Sequence, residues 1–282
     1  MNQEQINSYK EFHKKGYNYQ QLAPHKDIAS FIDCFFVSEA VESSEKKITL
    51  RLVPDGHFDI YWYRGSHFDY EIRETGSKTS SGLIIAGQMS RATYLNIKFP
   101  LTLIGVKMFA HGLYPLLNIP MSGLTDKVFD FADLFPDSVE LSGAMERTAN
   151  RFEALRLLQS YLQDKYSKIT GIDIVTCEIV QKIYSESGNI TLKEISRIYD
   201  ISPRQIERKF DRFVGLSPKT LARMVRFSKC LSAIQRLSDR KTLEIIHSYG
   251  YYDQTHFIKE FKSFVKLTPN EYKNWISSFK RN

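Results

Sequence analysis

The chain has 282 residues, 42% hydrophobic and 25% charged, which is room for two domains and the composition of an ordinary globular protein. No apolar run approaches a membrane span, since the best, residues 101–110, is short and carries Lys107. The polar first residues, 1–16, show neither a signal nor a transit peptide. Cys34, Cys177 and Cys230 are far apart and outside any CxxC pair, which argues against a disulfide framework or a cysteine zinc site and suits a reducing cytoplasm. The net charge of +7 divides into +8 for residues 171–282 and −1 for residues 1–170, as if a nucleic-acid module were joined to something of another kind. Neither a membrane partner nor a cofactor is expected.

In chain order, a polar arm leads to the aromatic, β-prone segment Ile28 to Val37, with a strand expected near its end. The charged stretch from Glu39 to Lys47 reads as a loop. Residues 48–53 and 57–63 flank Pro54-Asp55-Gly56, whose chemistry suits a hairpin turn. Alternation places Phe58, Ile60 and Trp62 on one face of the second strand and His57, Asp59, Tyr61 and Tyr63 on the other. Further strands are expected at 67–72, 82–86, 93–97 and 101–108, together a small barrel or sandwich. His57 and Asp59, then His67 and Asp69, repeat an H-x-D pattern that could hold a divalent cation inside a barrel. The plainer reading makes them exposed or hydrogen-bonded strand residues. Beyond Met108 the period turns helical: a short helix within 111–118, a second within 124–134, and an amphipathic helix or helix pair over 140–165. Residues 167–173 form the expected hinge, dividing the chain into domains 1–168 and 169–282.

An amphipathic helix over 174–184 precedes a repeat. One copy runs from Ser202 through Phe210 to Gly215-Leu216-Ser217-Pro218, the other from Asp253 through Phe261 to Lys266-Leu267-Thr268-Pro269. From Phe210 onward the offset is 51 residues, and upstream it is 50, so the slip falls in a turn. A repeat with its slip in a turn is a copied structural unit, here a helix-turn-helix. Thr191 and Ser202 are placed to cap the two helices of the first unit, with Pro203 at a first-turn position where a missing N–H costs nothing. Ser217-Pro218 opens a long helix of about 20 residues, a rod of about 30 Å. That is close to the roughly 34 Å separating successive major grooves on one face of B-DNA.

These motifs, above all Gly250-Tyr251-Tyr252-Asp253-Gln254-Thr255-His256-Phe257 followed by Thr268-Pro269, resemble the AraC/XylS family of bacterial transcription regulators over residues 172–280. The N-terminal half resembles, through Val53-Pro54-Asp55-Gly56, Ala86-Gly87 and the short helix at Leu116-Leu117, a sensor-type domain of the same family. The resemblance implies base reading by positions 204, 207 and 208. On the first recognition helix Arg204, Glu207 and Arg208 share one face; Arg suits guanine and Glu can accept from cytosine, although Glu207 could instead pair with either arginine and the arginines could hold phosphates. The matching face of the second helix carries Gln254, Thr255, Ile258 and Lys259, with His256 beside them. Helix starts at Thr191, Ser217, Thr242 and Thr268, with Lys219 and Lys241, are expected phosphate clamps. Two positions depart from the family pattern: Asp200 replaces a turn glycine, and Lys266 replaces another, which suggests a differently shaped second turn.

The expected fold is α+β, a β-rich barrel or sandwich-like domain with short helices followed by an all-α domain of two helix-turn-helix units. The expected function is sequence-specific transcription regulation in the cytoplasm, not catalysis, with both recognition helices in successive major grooves under control of the N-terminal domain. Promoter DNA is the expected partner, with a small-molecule effector, a second copy of the chain and RNA polymerase as further candidates. The rival readings are an enzyme holding a metal through His57, Asp59 and His67 with a DNA-binding appendage, and a non-specific nucleoid protein.

Overall fold

The computed structural model describes residues 17–40, 47–72, 76–98, 101–236 and 242–278. Within them the N-terminal part holds eight strands: β1 (Tyr17–Leu22), β2 (Ile32–Ala40), β3 (Lys47–Leu52), β4 (Phe58–Ile72), β5 (Gly76–Ala86), β6 (Thr93–Lys98), β7 (Leu101–Met108) and β8 (Val128–Asp130). They form one antiparallel sheet ordered β1-β2-β7-β4-β5-β8, with β6 joining β3 to β4. The alternation on β4 is as expected. Phe58, Ile60 and Trp62 lie fully buried in a core shared with Phe35, Ile85 and Val106, while Asp59, Tyr61 and Tyr63 face the opposite side.

Short helices α1 (Tyr114–Leu117) and α2 (Phe131–Leu134) lead to α3 (Val139–Arg147) and α4 (Arg151–Ser167). Leu155, Leu158, Leu162 and Tyr166 recur at helical spacing on α4 and cover the Trp62 face. Each such side chain contributes roughly 1.5–3 kcal/mol by leaving water. Tyr166 stacks on Phe31 with ring centres 4.6 Å apart and donates to the Gly112 carbonyl at 2.8 Å.

Several expectations change. Pro54-Asp55-Gly56 is not a hairpin turn, because β3 pairs with β6 (Leu50 opposite Leu95) and β4 pairs with β5 and β7. Strands expected at 57–63 and 67–72 are one 15-residue strand with a register shift between Tyr63 and Phe68. The polar arm contributes β1, whose pairing with β2 needs only its backbone. The region 124–134 holds the end of a 3-10 turn (Met121–Leu124), β8 and α2 in place of one helix. The 140–165 stretch is the helix pair that the sequence allowed, parted where Asn150 caps α4 and accepts from Phe152 N at 2.8 Å.

The C-terminal part is helical: α5 (Ile174–Ser185), α6 (Leu192–Tyr199), α7 (Pro203–Phe213), α8 (Pro218–Arg236), α9 (Thr242–Ser248), α10 (Gln254–Val265) and α11 (Pro269–Ser278). Side chains fix the helix starts. Asp173 accepts from Thr176 N, Asp253 from His256 N and Ser217 from Thr220 N, while Thr191 with Glu194 and Ser202 with Gln205 form capping boxes. A second core joins Ile195, Ile206, Phe210, Leu221, Phe257 and Phe261 around Phe227, whose ring meets Phe261 edge-on at 5.4 Å. Ala110 of the N-terminal part is buried in this core, and Val53 and Phe109 pack on it.

Candidate nucleic-acid interface

The two recognition helices, α7 and α10, each turn one face inward. On α7, Ile206 and Phe210 are buried while Arg204, Glu207 and Arg208 are exposed together. Among the described residues Glu207 makes no ion pair with either arginine, so the carboxylate is presented with them and not spent on them. On α10, Phe257 and Phe261 are buried, Gln254, Thr255, His256 and Lys259 are exposed, and Ile258 is half-buried. The His256 ring lies 5.3 Å from that of Tyr251. Between them α8 supplies 19 residues, a rod of roughly 28 Å at about 1.5 Å per residue.

The helix starts differ in what they offer an anion. At Thr191 the Glu194 carboxylate accepts from the Thr191 amide (2.8 Å) and hydroxyl (2.7 Å), which hold its carboxyl below the usual range. Glu271 takes the same place at Thr268, accepting from its amide at 2.6 Å. A carboxylate already present at a helix start competes with a phosphate. The start of α8 has no acidic residue in its first turn, and Ser217 and Lys219 are both exposed there. Thr242 is the first residue of α9 and not its cap, with Glu244 in the first turn; Lys241 lies outside the described residues.

Both recognition helices are fastened from behind. Lys209 of α7 pairs with Asp173, the cap of α5. Burial alone would raise the Asp173 carboxyl; the Lys209 ammonium and the Thr176 amide outweigh it and hold the group low. Glu260 of α10, only 4% exposed, accepts from Arg223 Nε at 2.7 Å and from Arg226 Nη2 at 3.3 Å, both on α8.

Their C-terminal ends meet the N-terminal part, mostly its loops. Thr125 Oγ1 donates to the Gly215 carbonyl at 2.7 Å, the Ala92 amide to Phe264 O at 2.8 Å, and Arg51 Nη1 to Val265 O at 3.0 Å. Tyr114 meets Phe213 edge-on at 4.5 Å. Lys266 takes a left-handed conformation (φ 62°), as Gly215 does (φ 84°), so the expected reshaping of the second turn does not occur and the lysine absorbs the strain. Asp200 also takes positive φ, 50°.

The Pro54-Asp55-Gly56 turn reaches α8. Tyr184 Oη donates to Gly56 O at 2.6 Å, and a Cβ on Gly56 would stand 2.8 Å from Leu221 Cδ1. Behind it lies a buried charge cluster that the H-x-D pattern announced only in part. Lys107 Nζ bonds Asp55 and lies 3.5 Å from Asp59; His57 lies 3.2 Å from Asp55 and 3.7 Å from Asp33. Burial would depress the His57 imidazole, but the Asp55 carboxylate beside it raises it above its ordinary value. Burial raises Asp59 as well. The ammonium of Lys107 takes the place between these carboxylates that a metal would need, and the His67 side chain lies outside the described residues. Asp55, His57, Asp59, Tyr61, Ile84, Met89 and Thr93 are among the residues lining a small, partly open cavity.

Comparisons with known proteins match two separate stretches of the chain. A domain of unknown function (DUF6597) matches residues 20–130, and a helix-turn-helix domain matches residues 195–274. The HTH-type transcriptional regulator MtrA of Neisseria gonorrhoeae is 27% identical over 124 residues, covering 42% of this chain and 41% of that protein. An uncharacterized HTH-type transcriptional regulator of Haemophilus influenzae is 26% identical over 86 residues, 30% of this chain and 28% of its own length. The matches thus span well under half of the curated relatives. A crystal structure of an apo ToxT variant from Vibrio cholerae aligns with 84% of this chain and 96% of its own at a TM-score of 0.47 and 14% identity.

Proposed function

We propose that the chain is a regulator of the AraC/XylS type, as its helix-turn-helix match and its likeness to HTH-type transcriptional regulators support, and that its α7 and α10 read successive major grooves of promoter DNA in a sequence-specific way. The observation that carries this is the pair of exposed polar faces, Arg204/Glu207/Arg208 and Gln254/Thr255/Ile258/Lys259, on helices held apart by one rod of nearly a helical turn of DNA. Arg204 and Arg208 grip guanine edges, Glu207 accepts from cytosine, Gln254 pairs with adenine, and Thr255 and Ile258 meet thymine methyls. Lys259 and His256 add contacts at the second element. Ser217 and Lys219 form the phosphate clamp with least competition, and Thr191 and Thr268 are weaker ones. Lys241 belongs to the same set on charge alone.

We read the chain as a regulator and not an enzyme, working in the cytoplasm, divided near residue 168 into a sensing part and a reading part. A small-molecule effector, a second copy of the chain and RNA polymerase are the further partners of this reading. Its test is enrichment of random-sequence DNA by the full-length protein, with sequencing of the bound pool. Two elements about one helical turn apart support it, and a pool with no preferred sequence, with or without added cell metabolites, overturns it.

A further inference from the structure

We propose that Ser90 and Asp126 are positioning residues for DNA reading: they tie together the two grips of the N-terminal part on the recognition helices and thereby fix the spacing of the two DNA elements. The proposal rests on the two-helix reading above.

The grips fall at equivalent places. Phe264 and Val265 repeat Phe213 and Val214 at the 51-residue offset, and Gly215 follows directly. The N-terminal part therefore holds the C-terminal exit of α7 through Thr125 and that of α10 through Ala92 and Arg51. Helix exits leave carbonyls without intrahelical partners, so each grip satisfies an acceptor that would otherwise need water.

The two gripping segments are fastened to each other. The Asp126 carboxylate accepts from Ser90 N and from Ser90 Oγ, both at 2.6 Å. The Asp126 amide donates to Gln88 O at 3.0 Å and the Gly87 amide to Lys127 O at 2.9 Å. Gly87 leaves no room for a Cβ against the Leu124 carbonyl. Asp126 adjoins Thr125, and Ser90 is two residues from Ala92. A short path of hydrogen bonds and covalent chain thus runs from the exit of one recognition helix to the exit of the other.

The second connection matters mechanically. The helix α8 sets the distance between the units, and the Glu260 pairs and the core around Phe227 hold them along one side. A bridge between the far ends of α7 and α10 adds a hold on the other side and so limits any swing about that first one. One base pair shifts a DNA element by about 3.4 Å along the axis and about a tenth of a turn around it. Two heads that swing by that much accept several spacings, while two heads held at both ends accept one.

The test uses the full-length protein in the same random-DNA enrichment, comparing wild type with Asp126→Gly, Asp126→Asn and Thr125→Val. Glycine suits the positive φ of Asp126 (57°) while removing the carboxylate. Asparagine also tolerates that φ and keeps both bonds, its carbonyl accepting from Ser90 N and its amide donating to Ser90 Oγ. Thr125→Val removes one grip with little change of shape. The expected result is unchanged base content in both elements with broadened spacing for D126G and T125V. Preference for the native spacing over a site with one inserted base pair should fall about five-fold, the worth of one hydrogen bond. D126N should match wild type.

Wild-type spacing retained in both D126G and T125V would overturn the proposal, as would D126N behaving like D126G. If D126G does not fold, T125V alone decides. A wild-type pool with two elements and unmoved spacing in the variants removes this inference and leaves the proposed function standing. A wild-type pool with one element or none overturns that reading, and this one with it.

Discussion

Lys209 and Glu260 stand 51 residues apart at the same place in the repeat, and each fastens the back of its recognition helix with an ion pair of opposite sense. Lys209 reaches Asp173 on the helix before the first unit; Glu260 takes Arg223 and Arg226 from the helix between the units. The repeat preserved the task and exchanged the sign.

The two anchors differ in burial, so they differ in what their loss costs. Glu260→Ala removes the buried carboxylate shared by the partly exposed Arg223 and the mostly buried Arg226 and is expected to lower unfolding free energy by about 2 kcal/mol. Lys209→Ala breaks a partly exposed pair and should cost under about 1 kcal/mol. Urea denaturation of both variants checks the difference; equal losses would refute it.

Arg208→Ala should relax sequence preference at one position of the first DNA element by about 1–3 kcal/mol. Lys219→Ala should weaken binding to all sequences alike and reduce the salt slope by about one. Binding titrations at several salt concentrations, against the selected site and single-base variants, distinguish the two roles.

Gly56→Ala combines a positive φ of 84° with a Cβ placed 2.8 Å from Leu221 Cδ1. A left-handed alanine alone costs about 1–2 kcal/mol, and Leu221 is fully buried and has little room to yield. Thermal unfolding should show a loss of at least about 1 kcal/mol. A neutral result would mean that the 53–56 turn does not press on α8 in solution.

His111 is buried against Phe31 and Phe109 and takes its single bond, 2.9 Å, from Nε2 to the Ser30 carbonyl. Burial lowers its pKa to about 4 from 6.5. The unfolded chain then binds a proton below pH 6.5 that the folded chain refuses. This group's contribution is fully present above pH 6.5 and is lost as pH falls toward 4, up to about 3 kcal/mol. His57 acts in the opposite sense, its raised imidazole stabilising the fold at low pH and losing that contribution as pH rises through its folded value. Replacing His111 with Gln should flatten the acid limb of stability against pH; an unchanged limb would assign it to other groups.

The helical half was legible almost residue by residue because its signals are local. Ser202-Pro203, Thr191 with Glu194 and the apolar period around Phe210 fix each helix within a few positions, and the repeat says the same thing twice. The sheet was less legible because strand pairing is non-local. Ile48 to Leu52 reads as a strand, but nothing near it announces that its partner is β6 and not the adjacent β4. Tyr17–Leu22 carries no hydrophobic alternation, since it pairs through its backbone at a sheet edge. At the candidate interface the exposed faces of the two helices followed from helical period, while the base-reading role of their residues is what the family resemblance implies. The grips by Thr125, Ala92 and Arg51 could not, since backbone amides and carbonyls leave no mark on side-chain pattern. Lys107 was visible only as the charge interrupting an apolar run; its role as the cation among Asp55, Asp59 and His57 needed three strands to be brought together.

Ala110, buried in the helical core, with Val53 and Phe109 packed on it, has a practical consequence for anyone dissecting the molecule. Cutting near residue 170 would strip a lid from Leu221 and Val225 and leave the carbonyls of Gly215 and Phe264 to solvent. The severed helical piece should still fold around Phe227, but it should be stickier and looser than the intact chain, so binding measured on it alone would understate how sharply the whole protein selects its site.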